Sequence, residues 1–202
     1  MLRLDKTNKL KVVDKIYHVS TSILSNQSPF FEALFKNKFT HENEEKVYEL
    51  ENCDQRAFAL IFQRFYGFTV LYKDVHKTSE MIPKLADLAN RFQFNAMLAE
   101  IEQFLLTLPK QEIKKYFGLA DRCCFEKLRK KILSVMNIQE FEELKNQTVV
   151  YSSETIRDMR ERSLELLDFG SSENEMGARE MLLFFGMWSV LLGTLGFFMF
   201  YR

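Results

Sequence analysis

Glycine, proline, histidine and cysteine are all scarce in this chain of 202 residues, which has 7 Gly, 3 Pro, 3 His and 3 Cys. So little glycine and proline argues against a loop-rich fold, and no glycine-rich loop of the kind that cradles phosphate groups occurs. The cysteines are odd in number and two are adjacent, unlike the even set of a disulfide framework. We therefore expect a helix-rich protein of a reducing compartment.

Net charge is also absent, because 28 basic residues balance 28 acidic ones. A chain that binds nucleic acid normally carries a clustered basic excess, so this balance argues against DNA or RNA as a partner. One segment, residues 126–133, is basic on its own. It is typical of a solvated helix face, and a role beside anionic lipid is the alternative.

Catalytic and metal-binding patterns are missing as well. No histidine lies near the adjacent Cys123 and Cys124 in sequence, and two neighbouring helical residues cannot point the same way. That arrangement argues against a zinc site and favours packing in the core. His18 fits a structural hydrogen-bonding role better than that of a base. We expect no enzymatic activity, no cofactor and no bound metal.

The most distinctive feature is a run without charge over residues 181–201, which only Arg202 follows. As a helix this run would span about 31 Å, roughly one hydrocarbon core. Eleven of its residues are Leu, Phe or Val, which favour insertion by about 5 kcal/mol. A buried core helix is the alternative, but core helices usually keep a polar stripe. The run predicts a transmembrane helix.

Small residues inside the run recur with spacings of 3, 4 and 3, which places them on one helical face: Gly186, Ser189, Gly193 and Gly196. Such a face lets two membrane helices approach closely, although glycine is common in membrane helices in any case. Residues 168–180 predict a linker. We expect insertion after synthesis, with the N-terminal domain in the cytosol and the endoplasmic reticulum favoured over the mitochondrial outer membrane.

The N-terminal part mixes strand and helix signals. Residues 10–19 predict a hairpin around Asp14-Lys15, and residues 46–50 predict a third short strand. Ser28-Pro29 marks a helix start, since proline suits the first helical turn. Asp54 is placed to cap a second amphipathic helix, whose apolar face is the clearest in the chain: Phe58, Ile61, Phe62, Phe65 and Tyr66.

After a predicted polar loop around 72–77, the pattern is helical and contains an internal repeat. Residues 88–101, LANRFQFNAMLAEI, match residues 119–132, LADRCCFEKLRKKI, at an offset of 31. Each copy ends one helix and opens the next, so each predicts a helical hairpin that needs a neighbour to bury its face.

Three stretches, residues 17–35, 49–68 and 85–106, resemble the BTB (POZ) domain, particularly its compact form in the expanded invertebrate BTB families. The resemblance covers residues 8–107, and residues 108–167 are similar to a truncated helical extension of BACK type. It implies an α+β fold in which a small sheet packs against a helical cluster. It also implies a homodimer with its contact on the first helix, at Thr21, Ile23, Leu24 and Asn26.

Many BTB proteins bind a cullin scaffold through a hydrophobic-x-Glu motif after the second helix. In the matching stretch Phe39 takes the hydrophobic position, but His41 stands where Glu is expected and Glu42 follows one residue later. A neutral imidazole lacks the acceptor carboxylate. The first hypothesis is therefore a membrane-anchored adaptor for a cullin-type ubiquitin ligase, and the second is a tail-anchored scaffold that does not bind cullin. An enzyme is the third and has no supporting motif.

Overall fold

The computed structural model describes residues 7–36, 47–78 and 80–166. The chain divides into two compact units, Met1–Val135 and Met136–Arg202. The first contains the sheet and most of the helices, which agrees with the α+β fold expected from the sequence. No helix within the described ranges is long and apolar enough to cross a membrane, and the run at 181–201 lies outside them.

Three short strands form the sheet: β1 (Thr7–Val12), β2 (Lys15–Ser20) and β3 (Val47–Leu50). Their order is β2-β1-β3, with β1 antiparallel to β2 and parallel to β3. The hairpin turn is Val13-Asp14, one residue earlier than predicted. Val13 has a φ of 54°, which the first position of a type II′ turn requires and which glycine usually supplies. A β-branched residue at this position explains why local residue preferences place the turn one residue too late.

The sheet has one buried and one exposed face. Its buried face belongs to the core and carries Leu10, Val12, Val19, Tyr48 and Leu50. On the opposite face Ile16 and Val47 remain more than half exposed. Lys11 and Glu49 pair there at 2.9 Å. The alternation follows from the two-residue period of a strand.

Nine α-helices follow in the described residues of the first unit: α1 (Thr21–Gln27), α2 (Pro29–Lys36), α3 (Gln55–Phe65), α4 (Tyr72–His76), α5 (Met81–Arg91), α6 (Asn95–Leu106), α7 (Lys110–Ile113), α8 (Phe117–Arg122) and α9 (Glu126–Val135). A 3₁₀ turn, Lys114–Tyr116, joins α7 to α8. Helix α4 corrects the predicted polar loop. Its helical form depends on side-chain bonds from Tyr72 and His76 to distant residues, which no local pattern reveals.

Helix α3 forms as its pattern predicts. Asp54 caps it by accepting hydrogen bonds from the backbone N–H groups of Arg56 and Ala57, both at 3.0 Å. The bond from Ala57 is the main cause that lowers the pKa of the Asp54 carboxyl. Three members of the predicted apolar face are buried: Phe58, Ile61 and Phe65. The cap and the face together fix where α3 begins and which side it presents to the core.

The internal repeat has a physical basis in two matching helix ends. Gln93 and Cys124, which are 31 positions apart, both have positive φ, at 53° and 55°. In each copy a phenylalanine N–H closes the turn onto an alanine carbonyl five residues earlier, Phe94 to Ala89 and Phe125 to Ala120, both at 2.8 Å. These are Schellman-type ends that stop one helix before the next begins.

The second unit, described up to residue 166, contains α10 (Ile138–Lys145) and a helix α11 over residues 153–166. Asn137 caps α10 through a reciprocal pair of bonds with Glu140, at 2.8 and 3.0 Å. Phe141 and Leu144 are its buried residues. The compact units divide after Val135, so α7, α8 and α9 belong to the unit that contains the sheet.

Candidate protein-interaction surface

Helix α1 starts directly after β2 and is anchored at its first turn. Ser20 Oγ accepts a hydrogen bond from the N–H of Ile23 at 3.3 Å, while the Ser20 N–H donates to the Tyr66 hydroxyl at 2.9 Å. Asn8 of β1 donates from Nδ2 to Thr21 Oγ1 at 2.9 Å. The start of α1 is therefore bonded to both the sheet and the end of α3, which fixes the surface that it presents.

The end of α1 is held as firmly as its start. Gln27 Nε2 donates to the carbonyl of Phe65 at 2.8 Å. The fully buried Ser28 donates from Oγ to the Phe92 carbonyl at 2.5 Å and accepts from the Phe31 N–H at 3.2 Å. One hydroxyl thus caps the start of α2 and the end of α5, and it confirms the helix start predicted at Ser28-Pro29.

The four residues predicted on the dimer surface differ in exposure. Asn26 is exposed, and Thr21 and Ile23 are half-buried. Leu24 is fully buried in the core. It supports α1 from beneath and, in this conformation, offers no surface to a partner. That Thr21, Ile23 and Asn26 contact a second copy stays a prediction.

Sequence reasoning missed a cleft of about 590 Å³ between the end of α3, the following loop and α6. At its floor Arg64 donates to Glu100 from Nε at 2.9 Å and from Nη2 at 2.6 Å. The Tyr72 hydroxyl donates to the same carboxylate at 2.9 Å. The bond from Arg64 is the main cause that lowers the pKa of Glu100, whereas burial raises that of Tyr72.

Apolar side chains border this cleft. Phe68, which lines it, is 64% exposed, and nearby Leu71 is 66% exposed. Exposed apolar side chains therefore lie beside the fixed network of Arg64, Glu100 and Tyr72. The available sequence signal was two large apolar residues, Phe68 and Leu71, between the predicted helix and the predicted polar loop around 72–77. The Arg64–Glu100 contact, between residues 36 positions apart, was not visible locally.

The histidines that the structure describes have different surroundings. His76 forms hydrogen bonds from both ring nitrogens, Nδ1 with the Tyr116 hydroxyl at 3.0 Å and Nε2 with Glu112 at 3.1 Å. This bonding links α4 to α7 and the 3₁₀ turn. His18 is exposed on β2 and has no hydrogen bond within the described residues, which corrects its expected structural role.

The two adjacent cysteines, Cys123 and Cys124, also differ in exposure. Cys123 is buried as predicted, but Cys124 is exposed because its position ends a helix with a positive φ. Burial raises the pKa of Cys123 to about 12 and that of Cys53 to about 11, so neither is a reactive thiolate. Among the residues described, no three side chains of the metal-binding types cluster.

Fold and surface together define a class: a small α+β module with a helix that is hydrogen-bonded at both ends and a cleft bordered by exposed apolar side chains. The BTB/POZ domain model matches residues 6–108, about half of the chain, and the chain belongs to this family. Members of the family are protein-interaction modules, and they commonly self-associate and bind cullin. The comparison with curated proteins found no match.

Two groups of predicted contact residues lie outside the described part of the chain. The first is the predicted cullin contact, with Phe39, His41 and Glu42. The second is the predicted packing face of the membrane helix: Gly186, Ser189, Gly193 and Gly196. Both stay predictions from the sequence.

Proposed function

We propose that this protein is a membrane-anchored BTB adaptor that self-associates and brings a cullin-type ubiquitin ligase to targets at a membrane. The observation that carries this proposal is the presence, in one chain, of a BTB domain over residues 6–108 and an uncharged apolar run over residues 181–201. The domain supplies contacts with other proteins, and the apolar run supplies attachment to the membrane.

Self-association is supported by the construction of α1. A homodimer contact needs a surface that does not rearrange when it binds, because ordering side chains and loops opposes association. The bonds at Ser20, Thr21 and Gln27 hold both ends of the helix. Ile23 is half-buried, so part of this apolar side chain remains available to a second copy.

A scaffold that does not bind cullin is the second candidate, and His41 is the observation that favours it. The missing carboxylate would cost a charge-assisted hydrogen bond of about 1.5–3 kcal/mol, roughly ten- to a hundredfold in affinity. Titration calorimetry of the full chain and its His41→Glu variant with a cullin N-terminal domain separates the two. If the protein is an adaptor, both the wild-type chain and the His41→Glu variant bind cullin, and the variant binds more tightly. If it is a scaffold without a cullin partner, neither chain binds cullin.

Membrane anchoring is tested by carbonate extraction of the full chain from cell membranes. We expect the protein to stay in the pellet, with the endoplasmic reticulum as the proposed location. Leu192→Arg places a charge near the middle of the run, where it costs about 3 kcal/mol, and shifts the protein towards the supernatant. Leu192→Ile is the matched control. A wild-type chain that carbonate removes would refute the anchor.

A further inference from the structure

A basic segment over residues 108–135 sets α7, α8 and α9 apart from the rest of the chain. It has eight basic and three acidic residues, a formal excess of five in a chain whose total charge is zero. The basic residues are Lys110, Lys114, Lys115, Arg122, Lys127, Arg129, Lys130 and Lys131. The self-association and cullin contacts proposed above make no use of them.

Helix α9 separates its apolar and its basic side chains. It buries the apolar Leu128, Ile132 and Leu133 together with one basic residue, Arg129. Lys127 and Lys130 are exposed and Lys131 is half-buried, and their spacing places all three on one face. Lys131 Nζ donates to the Leu106 carbonyl at 2.6 Å. The basic face of α9 therefore extends to the end of α6, the helix that precedes α7 in the chain.

The neighbouring elements add further lysines. Helix α7 packs against α9, and it and the 3₁₀ turn bury Ile113 and Tyr116 while Lys110 and Lys115 stay exposed. Lys115 Nζ lies 5.1 Å from the centre of the Tyr116 ring, which supports its position. Two adjacent elements thus present lysines to solvent.

Acidic side chains pair with part of this charge. Glu112 is bonded to His76 at 3.1 Å, and Glu126 pairs with Lys130 at 2.7 Å. An exposed pair such as Glu126–Lys130 is worth about 0.5 kcal/mol and is easily exchanged for another partner. Arg122 pairs with Asp87 at 3.2 Å and Arg129 is buried, so the exposed charge of this surface comes from lysines, among them Lys110, Lys115 and Lys127.

We propose that α7, the 3₁₀ turn and α9 form a basic surface that lies against an anionic membrane and binds phosphatidylserine headgroups. The inference rests on the anchoring proposed above, because a chain held by residues 181–201 meets the lipid surface at high local concentration. An acidic protein would attract the same lysines, but the apolar run makes lipid the partner that is always near. Clusters of lysine beside a membrane anchor act in this way.

The test uses the full chain carrying Leu192→Arg, so that insertion does not mask surface binding. Its binding to phosphatidylcholine vesicles with and without phosphatidylserine is measured by sedimentation at low salt. The surface variant replaces Lys115, Lys127 and Lys130 with Gln, and its binding to phosphatidylserine falls about a hundredfold, since each lysine contributes about fivefold. Binding of the parent is also lost at high salt, because screening acts on exposed charges.

A matched control removes the same charge elsewhere, by Lys15→Gln, Lys36→Gln and Arg56→Gln. Lys36 pairs with Glu32 four residues before it, as Lys130 does with Glu126. The control should change binding by less than about fivefold, within the contribution of one lysine. The melting temperatures of both variants are compared with that of the parent by circular dichroism. If a triple variant has a lowered melting temperature, its three substitutions are tested one at a time.

Equal losses in the surface and control variants, or binding without preference for phosphatidylserine, would overturn the proposed lipid surface. Full retention by the surface variant would do the same, because lipid binding would then not depend on these lysines. The wild-type chain is extracted with carbonate from the same vesicles. Its removal would refute the anchor alone, because the lysine comparison is made in a chain whose insertion is already weakened by Leu192→Arg.

Discussion

Ser28 should be among the most sensitive small residues of the fold, because its one hydroxyl serves two helices. It is fully buried, donates to the Phe92 carbonyl at 2.5 Å and accepts from the Phe31 N–H at 3.2 Å. Ser28→Ala removes both bonds at a site that solvent does not reach. The loss of an N-cap costs about 1 kcal/mol, and an unpaired buried carbonyl costs about 1–3 kcal/mol. We expect Ser28→Ala to lower the free energy of unfolding by about 2–4 kcal/mol.

Urea denaturation measures this loss directly. With a slope of about 2 kcal/mol per molar urea, the midpoint should fall by about 1–2 M. Ser25→Ala is the matched control, because Ser25 lies in α1 and is not fully buried, and it should change stability by less than about 0.5 kcal/mol. Equal midpoints for the two variants would refute the two-helix role of Ser28.

Three further substitutions test local features of the fold. Val13→Gly should stabilise the hairpin by about 1 kcal/mol, because glycine tolerates the positive φ at no steric cost. Ile16→Gly in β2 should destabilise the hairpin, and the melting temperature measures both changes. Cys124→Gly should stabilise for the same reason, and Cys124→Ala, which keeps its Cβ, should bring no such gain in melting temperature. The bond from Arg64 holds the pKa of Glu100 below its ordinary 4.5, so that carboxylate stabilises the fold above this pH and its contribution is lost as the pH falls through the lowered value. Glu100→Gln should therefore flatten the acid limb of the melting temperature against pH, and parallel curves would contradict this role.

Local signals predicted much of the fold. The cap at Asp54 and the apolar period of α3 fixed that helix within a few residues, and Ser28-Pro29 marked the start of α2. The repeat predicted two helix ends, and both have the same backbone geometry. In each case capping groups or side-chain spacing within one or two turns determine the structure.

What the sequence could not predict depends on contacts between distant residues. Helix α4 has five residues, too few for a periodic signal, and its polar side chains bond to Glu100 and Glu112. The cleft beside Arg64 needs α3 and α6 to meet. The burial of Leu24 depends on which side of α1 faces the core, and seven helical residues do not decide this.

The central claim is that the BTB domain of this chain associates with a second copy through α1. Sedimentation equilibrium of residues 1–167 at micromolar concentration tests it most directly, with Ile23→Asp as the interface variant and Ser22→Asp as a control on the same helix. The account predicts twice the monomer mass for the parent and the control, and the monomer mass for Ile23→Asp, because a buried unpaired carboxylate opposes association. A parent that sediments as a clean monomer, or an Ile23→Asp chain that remains dimeric, would contradict the account.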